Sequence, residues 1–176
     1  MSQFLVLTAI GADRTGIVSE ITKLASQCGC NILDSRMAIF GQEFTLIMLL
    51  TGAAKAIYQV EQKVPLIANK LELITMMKRT SNYTPKALIK HYEVTYAGID
   101  QPGLLKSVTA FFSARKIDIS SLKSEIDEQC NHMSAHMLIA VTNENELDNL
   151  EHDFIELCQQ LDIQGCIKPT NSTLLP

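Results

Sequence analysis

The sequence contains no apolar run long enough to span a bilayer. Its start, Met1-Ser2-Gln3-Phe4, has neither the basic stretch nor the small-residue cleavage site of a secretory leader. Positive charge is scarce and scattered: 15 lysines and arginines face 19 acidic residues, for a formal net charge of −4. Tight binding to nucleic acid draws on phosphate neutralisation by clustered basic side chains. With no basic stripe, zinc-ligand run or helix-turn-helix pattern, direct DNA binding is not expected. The five cysteines are odd in number and spread through apolar segments, which fits a reducing compartment rather than a disulfide framework. These absences predict a cytoplasmic protein.

Catalytic material is equally thin. No serine or cysteine sits in a strained strand-to-helix elbow, and no Walker-type phosphate loop is present. Cys28 and Cys30 lack a second pair at metal-ligand spacing, where zinc wants four ligands. Cys158 and Cys166 read as buried thiols in the same way. His132 and His136 share one strand face, but nothing nearby in sequence completes a metal set. Glu125, Asp127 and Glu128 suggest a hairpin tip, and the acidic residues of 144–153 a solvated helix face. No catalytic residue, metal or cofactor is expected.

What is present is a repeat. Gly11-Ala-Asp-Arg-Thr-Gly-Ile-Val18 recurs as Gly98-Ile-Asp-Gln-Pro-Gly-Leu-Leu105, a shift of 98 − 11 = 87 residues. The same shift carries Thr22 onto Thr109, Ser26 onto Ser113, and Asn31-Ile32 onto Asp118-Ile119. A period of that length is a small domain rather than a solenoid unit, so the chain reads as a tandem duplication. The apolar fraction of 47% against 19% charged suits a folded chain.

Within the first unit, Phe4–Ile10 is a short apolar run that suits a buried strand, closed by Gly11. Ile17, Val18, Ile21, Leu24, Ala25 and Cys28 recur on one face of a helix that Gly29 would end. Residues 31–40 and 43–50 read as a hairpin about Gly41-Gln42. A helix over 53–69 is expected to break or kink at Pro65, and 71–78 closes the unit as a strand. Phe44-Leu46-Met48 and Thr45-Ile47-Leu49 are apolar on both sides of their strand, so cover from another unit or chain is expected.

The second unit repeats this order with strands at 91–97, 119–126, 133–141 and 163–167. Its second helix carries Leu147, Leu150, Phe154, Leu157 and Leu161. Residues 1–80 and 91–168 are thus two domains, with 81–90 a linker and 169–176 a tail. The fold class is α+β, two tandem ferredoxin-like βαββαβ units, each an antiparallel sheet with both helices on one face.

Each glycine-bearing stretch lies between a first strand and a first helix. Such a helix start offers unpaired N–H groups and the positive end of a macrodipole, which suits a carboxylate. Gly16 and Gly103 let the backbone approach a ligand, and Asp13 and Asp100 could pair with an ammonium group. A free amino acid as small as glycine needs little more. The other reading is structural: Asp or Thr before a helix is commonly an N-cap, and Pro102 a helix starter.

Asp13-Arg-Thr-Gly-Ile-Val18 and Asp100-Gln-Pro-Gly-Leu-Leu105, each between strand and helix in a βαββαβ unit, resemble the ACT domain, a regulatory module that binds amino acids. Two such units filling the chain are similar to the tandem-ACT accessory repressors of glycine cleavage. The resemblance implies a DNA-bound activator of the glycine cleavage operon as partner, relief of repression by glycine, and contact between paired domains or chains. The candidate ligand-binding residues are Gly11, Asp13, Arg14, Thr15, Gly16 and Ile17, with Asn31 and Ile32, in the first unit. In the second they are Gly98, Asp100, Gln101, Pro102, Gly103 and Leu104, with Asp118 and Ile119. Thr15 departs from the pattern where Pro102 keeps it, so the two loops need not bind alike. Formyltetrahydrofolate deformylase also begins with an ACT-like Asp-Arg-x-Gly loop, but the chain leaves no room for its catalytic domain. A ligand-free oligomerisation module is the third alternative.

Overall fold

The structure, a computed structural model, describes residues 2–81, 90–141 and 149–170. It divides into two compact units, Met1–Pro85 and Lys86–Pro176. The first runs β1 (Ser2–Ala12), α1 (Ile17–Gln27), β2 (Asn31–Phe40), β3 (Glu43–Ala53), α2 (Ala54–Leu71) and β4 (Ile74–Thr80). The second runs β5 (Lys90–Ile99), α3 (Leu104–Ala114), β6 (Asp118–Asp127), β7 (His132–Val141), α4 (Leu150–Gln160) and β8 (Ile163–Thr170). Each is an antiparallel four-stranded sheet, ordered β2-β3-β1-β4 and β6-β7-β5-β8. Two βαββαβ units of the α+β class are therefore present.

The 87-residue shift maps the ends of α1 onto those of α3, and the ends of β2 onto those of β6 (104 − 17 = 87, 118 − 31 = 87). It even carries the β-bulge between Ile32 and Asp34 onto the one between Ile119 and Ser121. Beyond the hairpin the shift lengthens, because the turn grows from Gly41-Gln42 to four residues, 128–131.

Alternation along the central strands decides which face is buried. Leu5, Leu7 and Ala9 of β1 and Phe44, Leu46, Met48 and Leu50 of β3 are buried with Ile17, Ile21, Leu24 and Ala25 of α1. Ile57, Val60, Val64 and Ala68 of α2 complete that core. In the second unit the corresponding α3 stripe is Leu104, Val108, Phe111 and Phe112, with Phe112 5.7 Å from Phe154 of α4. Each fully buried side chain of this size contributes about 1.5–3 kcal/mol.

The other sheet face differs between the units. In the first, Ile10, Ile47, Ile74 and Met76 lie on it and are exposed. In the second, Glu93, Thr95, Lys123 and His136 occupy it, with His136 Nδ1 3.8 Å from Glu93 Oε1.

All four helices end on a left-handed residue: Gly29, Glu72, Lys116 and Asp162. At Gly29 and Lys116 the bonds are those of a Schellman motif. The N–H groups of Cys30 and Ile117 donate to Ala25 and Phe112, and those of Gly29 and Lys116 to Ser26 and Ser113.

Several boundaries differ from expectation. Gly11 does not end β1, which continues to Ala12 through pairing with Glu43. Pro65 does not break α2, which is continuous from Ala54 to Leu71. Pro65 is exposed while Val60, Val64 and Ala68 are buried, so the proline lies on the solvent side and core packing holds the helix through it. The expected tail begins too early, since Pro169 and Thr170 belong to β8. An edge strand tolerates a residue without an N–H donor. Likewise Lys90, expected in the linker, opens β5. The rest of that linker (82–89), Leu147, the acidic stretch 144–148 and the tail 171–176 lie outside the described residues.

Candidate functional site

Both loops are anchored at their first residue. The Asp13 N–H donates to the Gln42 carbonyl at 3.0 Å, and the Asp100 N–H to the Asn131 carbonyl at 2.8 Å. Each loop therefore sits against the turn of its own hairpin. Neither turn carried a sequence signal for this role, because the contact joins segments far apart in the chain and is made mainly by backbone atoms, with the Asn131 side-chain amide adding a donor to the Asp100 carbonyl at 3.4 Å.

The helices then start on glycine. Gly16 (φ 98°) and Gly103 (φ 93°) are the N-cap residues, and no side chain caps either helix. The alternative in which Asp13, Thr15 or Asp100 caps its helix is therefore not what forms. Pro102 lies just before the cap rather than in the first turn. An L side chain disfavours this backbone region, which explains glycine at both positions. Space does not: a Cβ at either glycine would meet nothing within 4 Å. The first-turn N–H groups of α1 and α3 are thus left without a side-chain acceptor, at the positive end of the helix.

Gly11 and Gly98 do a different job. A Cβ at Gly11 would lie 2.9 Å from the Glu72 carbonyl oxygen, and one at Gly98 would lie 2.6 Å from Ile163 Cγ2. Both glycines admit the chain entering the last strand of their unit, so neither faces the loop opening.

The remaining candidates separate in the same way. Asp13, Thr15 and Gln101 are exposed on the loops, and Asp100 is half-buried. Arg14 is turned away from them: its Nη2 donates to the Leu71 carbonyl and lies 3.3 Å from Glu72 Oε2, tying loop one to the end of α2. The side chains of Ile17 and Leu104 are in the cores, and the Leu104 N–H already donates to the Gln101 carbonyl at 3.2 Å. Asn31 and Asp118 are exposed, while Ile32 and Ile119 pack on the cores. All four follow the far end of their helix, about 16 Å from the loop at 1.5 Å per residue. Within one unit, then, they do not join the loop.

Two thiols, Cys30 and Cys158, are held towards the neutral form by their surroundings. Burial, with Cys166 adding to it, pushes Cys158 up to about 11, and burial followed by Cys28 raises Cys30. Among the described residues no three His, Cys, Asp or Glu side chains group as a metal site. Among the described residues Tyr96 stands apart: its hydroxyl is buried without a hydrogen-bond partner, and burial raises it to about 12. An unpaired buried hydroxyl costs on the order of 1–3 kcal/mol. Tyr96→Phe is therefore expected to stabilise the second unit by about 1 kcal/mol, read as a higher urea midpoint at unchanged slope.

Comparison with known proteins bears on these loops. Residues 3–78 match the ACT domain family. The glycine cleavage system transcriptional repressor of Escherichia coli (strain K12) is 40% identical over 172 residues, which cover 96% of this chain and 90% of that relative. The chain belongs to that repressor family. A Shigella flexneri member matches at the same identity and coverage. A crystal structure described as that of a candidate glycine cleavage system transcriptional repressor superposes with a TM-score of 0.78 at 39% identity. It covers 98% of this chain and 99% of its own. A Galdieria sulphuraria protein of unknown function shares the family's fold at a TM-score of 0.77 and 19% identity, covering 97% of this chain and 99% of its own. Among the described residues no helix is long and apolar enough to cross a membrane.

Proposed function

We propose that the chain is a cytoplasmic, non-enzymatic regulator of transcription that senses glycine or a similarly small amino acid at its glycine loops. It represses by contacting a DNA-bound activator of the glycine cleavage operon rather than DNA itself. The observation that carries the ligand reading is the helix start on Gly16 and Gly103, uncapped by any side chain, with a carboxylate on the same loop, exposed at Asp13 and half-buried at Asp100. The ligand's carboxylate takes the first-turn N–H groups, and its ammonium takes the aspartate. The net charge of −4 supports a protein partner over nucleic acid. Regulation then requires only that glycine bind the free and the partner-bound forms with different affinity.

The two loops are unequal under this reading. Arg14 braces the first against α2, whereas Gln101 stands in its place in the second, beside Pro102. Isothermal titration with glycine should give heat that Asp13→Ala or Asp100→Ala removes, whichever marks the competent loop. Losing a charge-assisted hydrogen bond worth about 1.5–3 kcal/mol weakens binding roughly tenfold to a hundredfold. Absence of heat with every small amino acid would leave a ligand-free assembly module instead.

A further inference from the structure

The second unit carries a surface cleft whose lysines are not repeated at the matching positions of the first unit. A cleft of about 510 Å³ lies between α3 and β6, lined by Lys106, Thr109, Ser113, Lys116 and Asp118 among others. Lys106 and Lys116 are exposed, and among the described residues neither has an ion pair or hydrogen bond from its ammonium group. Asp118 on the wall offsets one of them, leaving a net charge of +1 on a chain whose own net charge is −4. Moved back by 87 residues, the two lysines fall on Ser19 and Gly29, with Lys23 of the first unit at the place of Ala110. The paired positive charge is thus particular to the second unit. Thr109 and Ser113 sit on the helix between the lysines, and the Thr109 hydroxyl, already donating to the Leu105 carbonyl, keeps lone pairs for a further donor.

We infer that this cleft is a docking site for an acidic segment of a partner polypeptide, its carboxylates paired with Lys106 and Lys116. Charge complementarity selects the occupant. Depth argues the same way, because a small ligand needs a pocket that buries most of its surface. This cleft is open, and side chains presented by another chain need only its rim. The site is separate from the glycine loops, so glycine binding could fail and leave the inference standing.

The position of Lys116 supplies a clean variant. It occupies the left-handed C-terminal place that the first unit gives to Gly29. Lys116→Gly therefore keeps the Schellman bonds and should raise the melting temperature while removing a charge. The test titrates a fluorescent poly-glutamate peptide into the full chain, with poly-glutamine and free glutamate as controls, and follows the amide signals of Thr109, Ser113 and Lys116. Poly-glutamate should move those signals with an affinity that falls as salt rises. In the Lys106→Gln, Lys116→Gly double variant, which stays folded, binding should weaken roughly fivefold to tenfold. Unchanged affinity in that variant overturns the inference. So does free glutamate moving the same signals as tightly as the peptide, because the cleft would then be a small-molecule site.

Discussion

Phe112→Ala is expected to unfold the second unit at temperatures where the first stays intact. Phe112 is fully buried, meets Phe111 edge-on at 5.1 Å and lies 5.7 Å from Phe154. Truncating a buried phenylalanine costs about 3–5 kcal/mol, because a cavity remains where neighbours relax only in part. A unit of this size holds roughly 5–14 kcal/mol in all. One substitution therefore removes a large share of that margin. The first unit shows what compensation requires: the matching residue there is Ala25, and the longer α2 brings Ile57, Val60 and Val64 into the core. The second unit's α4 spans only Leu150–Gln160, so its aromatic cluster carries the volume. Amide spectra taken along a urea series check this, with signals from 90–141 and 149–170 collapsing before those of 2–81. Loss of both sets together would mean that the two cores are not separate.

The paired glycines of each motif should fail in opposite ways. Gly98→Ala places a Cβ 2.6 Å from Ile163 Cγ2 and 3.1 Å from its Cα, with the rest of β8 behind it. Overpacking of that kind costs about 1–3 kcal/mol, and it should appear as lost stability with glycine affinity intact in whatever fraction remains folded. Gly103→Ala meets no atom but must hold φ near 93°. The left-handed penalty of about 1–2 kcal/mol is escaped if the loop turns to another conformation. That relaxation re-aims the first-turn N–H groups of α3, so ligand binding should fall by more than stability does. Calorimetry of the two variants beside a glycine titration separates these roles, and equal losses in both measurements would merge them.

Much of this molecule was legible before any coordinates. The 87-residue shift, the 3.6-residue spacing of Ile17, Ile21 and Leu24, and the alternation around Met133–Val141 predicted two βαββαβ units. Those periodicities arise from local backbone geometry, so a linear reading reaches them. Pro65 does not break α2, because propensity is a local prior and packing of Val60, Val64 and Ala68 outweighs it. Gly11 misled because its value lies in a neighbour about sixty residues further on, at Glu72 and Leu73.

The sequence by itself determined the duplication, the fold class, the inward stripe of each helix and the two loops on which a ligand was expected. It could do so because each is written in residues that are neighbours along the chain. Only the tertiary structure decided which glycine answers to backbone conformation and which to crowding, that Arg14 is spent on the end of α2, and that Lys106 and Lys116 share one cleft. Those outcomes depend on distances between distant segments, and such distances exist only once strands pair and helices settle on the sheet.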